Sequence, residues 1–340
     1  MTPIAPLDRS AEAAYRALID GKAKPLGALG RIEDLAVRLA LIAGRPDPGL
    51  DRALLLVFAG DHGLNEAGVS AYPSTVTAAM VATLLAGRAS ANAFARAVGA
   101  EVRVVDAGVA ADLASHRLLI EAKVRKGTRN AAAGPALTAQ EVELALTRGA
   151  AIAREALQDF DILAVGEMGI GNSASAALVL HRLAPAPLDD CIGLGAGHDA
   201  EGLARKRAVL HQAAARSDVS EPRDVLGAFG GLEIAMMAGA ILGAAAAGKP
   251  VLVDGFIASV AALAAIRLDP ASADYCIFAH RSAEQGHAVA LAAAGAEPLL
   301  DLSMRLGEGT GALLALPAAR AAAALLTEVA SLDDVLSGTP

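Results

Sequence analysis

An α/β fold with a mostly parallel sheet covered by helices on both faces is what this sequence predicts, and three observations predict it. Short runs rich in Val, Leu and Ile alternate with longer Ala-rich stretches along the chain. These runs are apolar throughout rather than alternating, as strands buried on both faces are. Hydrophobic residues make up 54% of the 340 residues and aromatics only 3%, so the core must be built from Ala, Leu, Val and Ile. A chain of this length buries a substantial core without disulfide or metal staples.

The expected strands are 53–58, 102–105, 162–165, 191–193, 251–253, 275–278 and 298–300, with 118–124 as an extra strand or hairpin arm. Helices are expected at 75–97, 138–157, 173–183, 201–216, 230–247, 283–294 and 311–326. Segments 10–20 and 30–43 read as amphipathic helices before the first strand, and the last helices follow the last strand. Residues 1–30 plus 312–340 are therefore expected to form a small helical domain beside a large α/β domain of 31–311.

The formal net charge is −8. No basic stripe is present to neutralise phosphates, which argues against nucleic acid as a partner. Cys191 and Cys276 form no CxxC pair, which excludes a zinc knuckle or disulfide scaffold and fits a reducing cytosol. The N-terminus lacks the apolar region of a signal peptide. The longest uncharged apolar run, 234–248, stops short of the ~18 residues of a membrane span and reads as a buried core helix. A soluble, cytoplasmic protein without a membrane span is expected.

Polar and Gly-rich segments follow the apolar runs: Asp61-His62-Gly63, Asp106-Ala107-Gly108, Gly166-Glu167-Met168-Gly169, Gly193-Leu194-Gly195, Asp254-Gly255, His280-Arg281-Ser282 and Asp301. In open parallel sheets, ligands bind beyond the carboxyl ends of the strands. One such ending is most simply a turn; the recurrence points to a site.

Gly166-Glu167-Met168-Gly169-Ile170-Gly171-Asn172-Ser173 joins a strand to a helix. Its glycines and hydroxyl at a helix start suit a phosphate or carboxylate, although a plain turn fits the spacing too. It is neither a Walker A loop nor a GxGxxG. A second loop, Gly193-Leu194-Gly195-Ala196-Gly197, has the wrong spacing for a dinucleotide, so an NAD enzyme is a weak competitor. Lys206 is either part of a solvated basic turn or a phosphate partner. Glu308, between Gly307 and Gly309, is either a solvated residue in a helix-start turn or a general base that bulky substrate can approach. The histidines show no HxxxH or HExxH spacing and Asp189-Asp190 reads as a surface turn, so no metal is expected.

These residues carry a resemblance. The sequence resembles the nicotinate-nucleotide:dimethylbenzimidazole phosphoribosyltransferases along nearly its whole length. The likeness runs through Lys24-Pro25-Leu26-Gly27-Ala28-Leu29-Gly30-Arg31, Phe58-Ala59-Gly60-Asp61-His62-Gly63, Gly68-Val69-Ser70-Ala71-Tyr72-Pro73 and Gly127-Thr128. It continues through Glu167-Met168-Gly169-Ile170-Gly171-Asn172, Phe229-Gly230-Gly231-Leu232-Glu233-Ile234-Ala235, Asp254-Gly255-Phe256, His280-Arg281-Ser282 and Arg305-Leu306-Gly307-Glu308-Gly309-Thr310-Gly311.

The resemblance implies transfer of phosphoribose from nicotinate mononucleotide to a benzimidazole-type base in cobalamin lower-ligand synthesis, without a cofactor. It also implies a Rossmann-like large domain, a small helical domain from both termini and a homodimer. Glu308 would be the general base. Ser70, Tyr72, Pro73, Glu167 and Leu306 would border the acceptor base. Gly169, Lys206 and Ser282 would hold the phosphate, with Gly171, Asn172, Ser173, Asp254 and Gly255 beside the nucleotide. The chain departs from the family's usual pattern at Ser173-Ala174, at Leu194 and Ala196, and at Ser74-Thr75. The alternatives are the same transfer to a purine, another benzimidazole or a phenolic base, or a non-catalytic ribotide-binding protein.

Overall fold

A computed structural model describes residues 2–195, 197 and 199–338. Six parallel strands form the main sheet in the order β3-β2-β1-β4-β5-β6. They are β1 (Ala53–Gly60), β2 (Ala100–Gly108), β3 (Leu119–Glu121), β4 (Ile162–Met168), β5 (Val251–Val253) and β6 (Cys276–Phe278). β1 is central and pairs in parallel with β2 on one side and β4 on the other. The winding therefore reverses between β1 and β4, which opens a crevice beyond the carboxyl ends of these strands. β7 (His280–Arg281) and β8 (Leu300–Asp301) form a separate parallel pair.

The period-2 geometry of β1 splits its apolar side chains between two cores. Leu54, Leu56 and Phe58 enter the larger one, Leu55, Val57 and Ala59 the other. The second face is covered by α1 (Glu12–Asp20), α2 (Arg31–Ala43), α3 (Thr75–Leu85), α4 (Ser90–Val98) and α13 (Thr310–Thr327). The first is covered by α5 (Ala139–Ala156), α6 (Asn172–Leu183), α7 (Leu188–Cys191), α8 (Ala200–Ala215), α9 (Pro222–Phe229), α10 (Leu232–Ala246), α11 (Phe256–Leu268) and α12 (Gly286–Ala293). α13 (Thr310–Thr327) and α14 (Leu332–Ser337) close the chain. α13 is long and apolar enough to cross a membrane, yet it packs against α2, α4 and the sheet as a core helix. The two termini meet, with the Leu332 amide donating to the Gly21 carbonyl and Lys22 bridged to Ser331.

Four expectations need correction. Residues 191–193 are no strand: Cys191 ends α7, and Cys191 and Ile192 are buried by packing without joining a sheet. So short an apolar run does not distinguish a strand from buried coil. The helix expected at 75–97 is two, α3 and α4, broken where Gly87 takes a φ of +73°. The helix expected at 230–247 begins at Leu232, and a further helix, α9, precedes it. α11 was absent from the expected helices because it is apolar on every side and so shows no amphipathic period.

Candidate active site

The carboxyl ends of β4 and β5, the loop before α13 and the start of α3 surround a cavity of about 390 Å³. Its lining includes Ser70, Tyr72, Glu167, Gly169, Gly171, Asn172, Ser173, Asp254, Gly255, Ser282, Leu306 and Glu308. Of the residues that the resemblance assigned to the site, all but Pro73 and Lys206 line this crevice, whereas the strand endings at Asp61, Asp106 and Asp301 lie outside it.

Glu308 sits on unusual backbone. Its φ is +61°, flanked by Gly307 at +85° and Gly309 at +83°. Left-handed backbone is costly for a residue with a Cβ and persists only where its surroundings enforce it. Here the Glu308 amide donates to the Glu167 carbonyl at 3.3 Å. Gly166 lets this loop lie directly on β4, because a Cβ there would strike the backbone of Glu308 and Gly309. The Asp254 carboxylate accepts from the amides of Gly309 at 3.2 Å, Gly311 at 2.7 Å and Ala312 at 3.0 Å. Those are amides at the start of α13, which otherwise lack intrahelical partners. Asp254 lines the cavity, but its oxygens are engaged in holding the loop.

The Glu308 carboxylate, by contrast, accepts a single 3.3 Å bond from the Ala91 amide. Burial pushes its pKa up, the Ala91 amide opposes this, and the nearby Asp254 carboxylate adds to it. Burial also pushes the Asp254 carboxyl up, against the pull of His280 and the three amides. Glu167 is buried and its carboxyl is pushed up to about 8, burial outweighing the hydrogen bond from the Asn172 side chain. Asp254, Glu233 and Glu308 add to this rise. Glu167 therefore holds its proton to a higher pH than an ordinary carboxyl.

The far end of the cavity brings together a helix start, two serines and the Glu284 carboxylate, with a buried lysine behind them. Gly169 to Ser173 bring the start of α6 to the wall, with Gly171 at a φ of +90° and the Ile170 amide tied to Thr77 Oγ1. Helix starts favour anions. Lys206 does not line the cavity; it is buried behind Ser173 and Gly195, with Nζ 3.0 Å from Ser173 Oγ and 2.9 Å from the Gly193 carbonyl. Burial lowers its pKa to about 8, with Glu284 opposing. Ser282 faces the same end, and Leu194 is half-exposed. Ala196 lies outside the described residues.

Pro73 is exposed and outside the lining. It stands where the chain turns into α3, which presents Val76 and Met80, four residues apart, to the cavity. Sequence reasoning missed those two, along with Met168, Ile170, Glu284 and a site role for His280 and Arg305. Helical spacing after Tyr72-Pro73 was the available signal for Val76 and Met80. His280 and Arg305 stood within segments already singled out. Asn65 was missed too: its side-chain amide ties the Tyr72 carbonyl and Ser74 Oγ, while its Cβ packs on Gly171. Among the described residues, no group of three or more His, Cys, Asp or Glu could hold a metal ion.

The chain is similar to known proteins over nearly its whole length. A family model described as phosphoribosyltransferase matches residues 4–335. A nicotinate-nucleotide–dimethylbenzimidazole phosphoribosyltransferase of Cupriavidus necator is 52% identical over 330 residues, covering 96% of this chain and 95% of that protein. One of the same name from Roseiflexus is 47% identical over 334 residues, covering 97% and 95%. The crystal structure of the Thermus thermophilus enzyme of that name superposes with a TM-score of 0.91 at 42% identity, covering 98% of this chain and 99% of that one. This chain belongs to the phosphoribosyltransferase family.

Proposed function

We propose that the cavity transfers the phosphoribosyl group of nicotinate mononucleotide to 5,6-dimethylbenzimidazole, giving α-ribazole 5′-phosphate and free nicotinate. One observation carries the chemistry: Glu308 is a buried carboxylate with one weak partner, held in the cavity by a loop anchored through Asp254. An acceptor-ring nitrogen forms the new bond to C1′, and the C1′–N bond to the pyridinium breaks with its electron pair passing to the nicotinate ring nitrogen. The leaving group departs from a cationic ring and needs no general acid. The proton on the acceptor's other nitrogen passes to Glu308. The remaining work is positioning two aromatic rings on opposite faces of the ribose.

The phosphate lies at the start of α6, against Ser173 and Ser282, with the Lys206 charge behind. The acceptor lies among Val69, Val76, Met80, Met168 and Leu306, with Ser70 and Tyr72 at its edge. That mostly apolar wall suits a dimethylated benzimidazole better than a purine, whose polar edge would lack partners. The resemblance further supports a homodimer in the cytoplasm and a small helical unit of 1–30 plus 312–340.

Incubation with nicotinate mononucleotide and a panel of bases tests this reading, with products identified by mass and anomeric configuration. The α-linked dimethylbenzimidazole ribotide is expected as the main product. Preferential use of a purine or phenolic base, or no consumption of the donor, would overturn it.

A further inference from the structure

Ser282 is held from behind by a chain of side chains that the reaction itself does not use. The Ser282 amide donates to His287 Nδ1 at 2.7 Å, and the other ring nitrogen, Nε2, lies 2.9 Å from Ser259 Oγ. His287 is fully buried in the first turn of α12, and Ser259 is fully buried in α11. Because Nδ1 accepts from an N–H, the ring proton must be on Nε2, which donates to Ser259. Burial holds the His287 pKa down at about 3, with His280 and Arg281 adding to the fall, so the ring stays neutral and this tautomer holds at any working pH.

The consequence falls on Ser282. Its amide is already spent, and its Oγ accepts from the Glu284 amide at 3.3 Å. What remains to offer a ligand is the hydroxyl proton, directed by a turn locked at both ends. We propose that His287, seated on Ser259, is a positioning residue that fixes the Ser282 hydroxyl as a donor to the phosphate of the phosphoribosyl donor. The inference rests on the phosphate reading of Ser282 given above.

The test is steady-state kinetics on the full-length enzyme with nicotinate mononucleotide and dimethylbenzimidazole, alongside thermal unfolding. Ser282→Ala and His287→Leu should each raise KM for the nucleotide about ten-fold, the size of one hydrogen bond to a charged group. In His287→Leu, KM for the base and kcat should stay within about three-fold of wild type. Their double variant should be no worse than either single variant, because both remove one contact. His287→Asn should restore most of the affinity, since its Oδ1 can accept from the Ser282 amide. Should His287→Leu not fold, Ser259→Ala is the milder probe. It frees Nε2, lets the proton move to Nδ1 against the Ser282 amide, and should raise the same KM. A fall in Tm with unchanged KM for the nucleotide in His287→Leu or Ser259→Ala, while Ser282→Ala raises it, would overturn the inference. So would additive effects in the double variant. An unchanged KM in Ser282→Ala would instead overturn the phosphate reading, and the inference with it.

Discussion

Two buried carboxylates face the same cavity from different elements, and their surroundings differ. Asp254, at the end of β5, accepts three backbone amides and is locked to the start of α13. Glu308, on the loop that Asp254 holds, accepts one amide at 3.3 Å and stands on left-handed backbone. A carboxylate that already accepts three backbone amides is an anchor. One that is desolvated and nearly unpartnered is available to take a proton. The division of labour follows from hydrogen-bond accounting, since both residues are buried and acidic.

Exchanging the properties of these two residues should separate their roles. Glu308→Gln keeps shape and burial but cannot accept the proton. Turnover should fall by about 10²–10⁴ with unfolding nearly unchanged, as measured by steady-state rates and thermal melts. Asp254→Ala leaves three amides without acceptors and should cost about 2–4 kcal/mol in urea unfolding. Its activity should fall as well, because the Glu308 loop loses its anchor. Equal stability to wild type would remove Asp254 from the anchoring role.

Glu167 sharpens the contrast through pH. Its carboxyl is raised to about 8, so between the ordinary carboxylate range and that value the folded chain holds a proton that the unfolded chain releases. Stability should therefore fall as pH rises through that window. Glu167→Gln should flatten this dependence, seen by comparing urea midpoints of variant and wild type at pH 6 and 8.5. An unchanged slope would mean that Glu167 is ionised at neutral pH.

The smallest expected effect concerns strain. Glu308→Gly should be inactive yet more resistant to urea by about 1 kcal/mol, because glycine accepts the left-handed backbone that glutamate does not. A loss of stability would show that the carboxylate contributes more to the fold than its backbone costs.

Sequence reasoning reached one of these carboxylates more fully than the other. Glu308 between two glycines was readable as a base that bulky substrate can approach, beside the plainer reading of a solvated turn residue. Asp254 looked like a ligand-facing strand ending. That its oxygens turn to amides near residue 310 depends on β5 and α13 being neighbours, which no local pattern shows. The sheet was legible from apolar runs, whereas α11 was not, since a helix buried all round has no period. The polar end of the cavity was readable from glycines and hydroxyls at a helix start. The apolar wall was not, because Val76 and Met80 look like ordinary core positions until α3 is seen to face the cavity.

The pH dependence of kcat/KM, compared between wild type and Glu308→Gln, tests the assignment of the base most directly. Wild type should lose activity as pH falls through the pKa of Glu308, at a pH above the usual range of about 4.3 for a glutamate, because burial raises that pKa. Glu308→Gln should show only a low rate, at least about a hundred-fold down, without that acid limb. An acid limb that persists in the variant, at a rate within a few-fold of wild type, would contradict the role of Glu308 and require another group to take the proton.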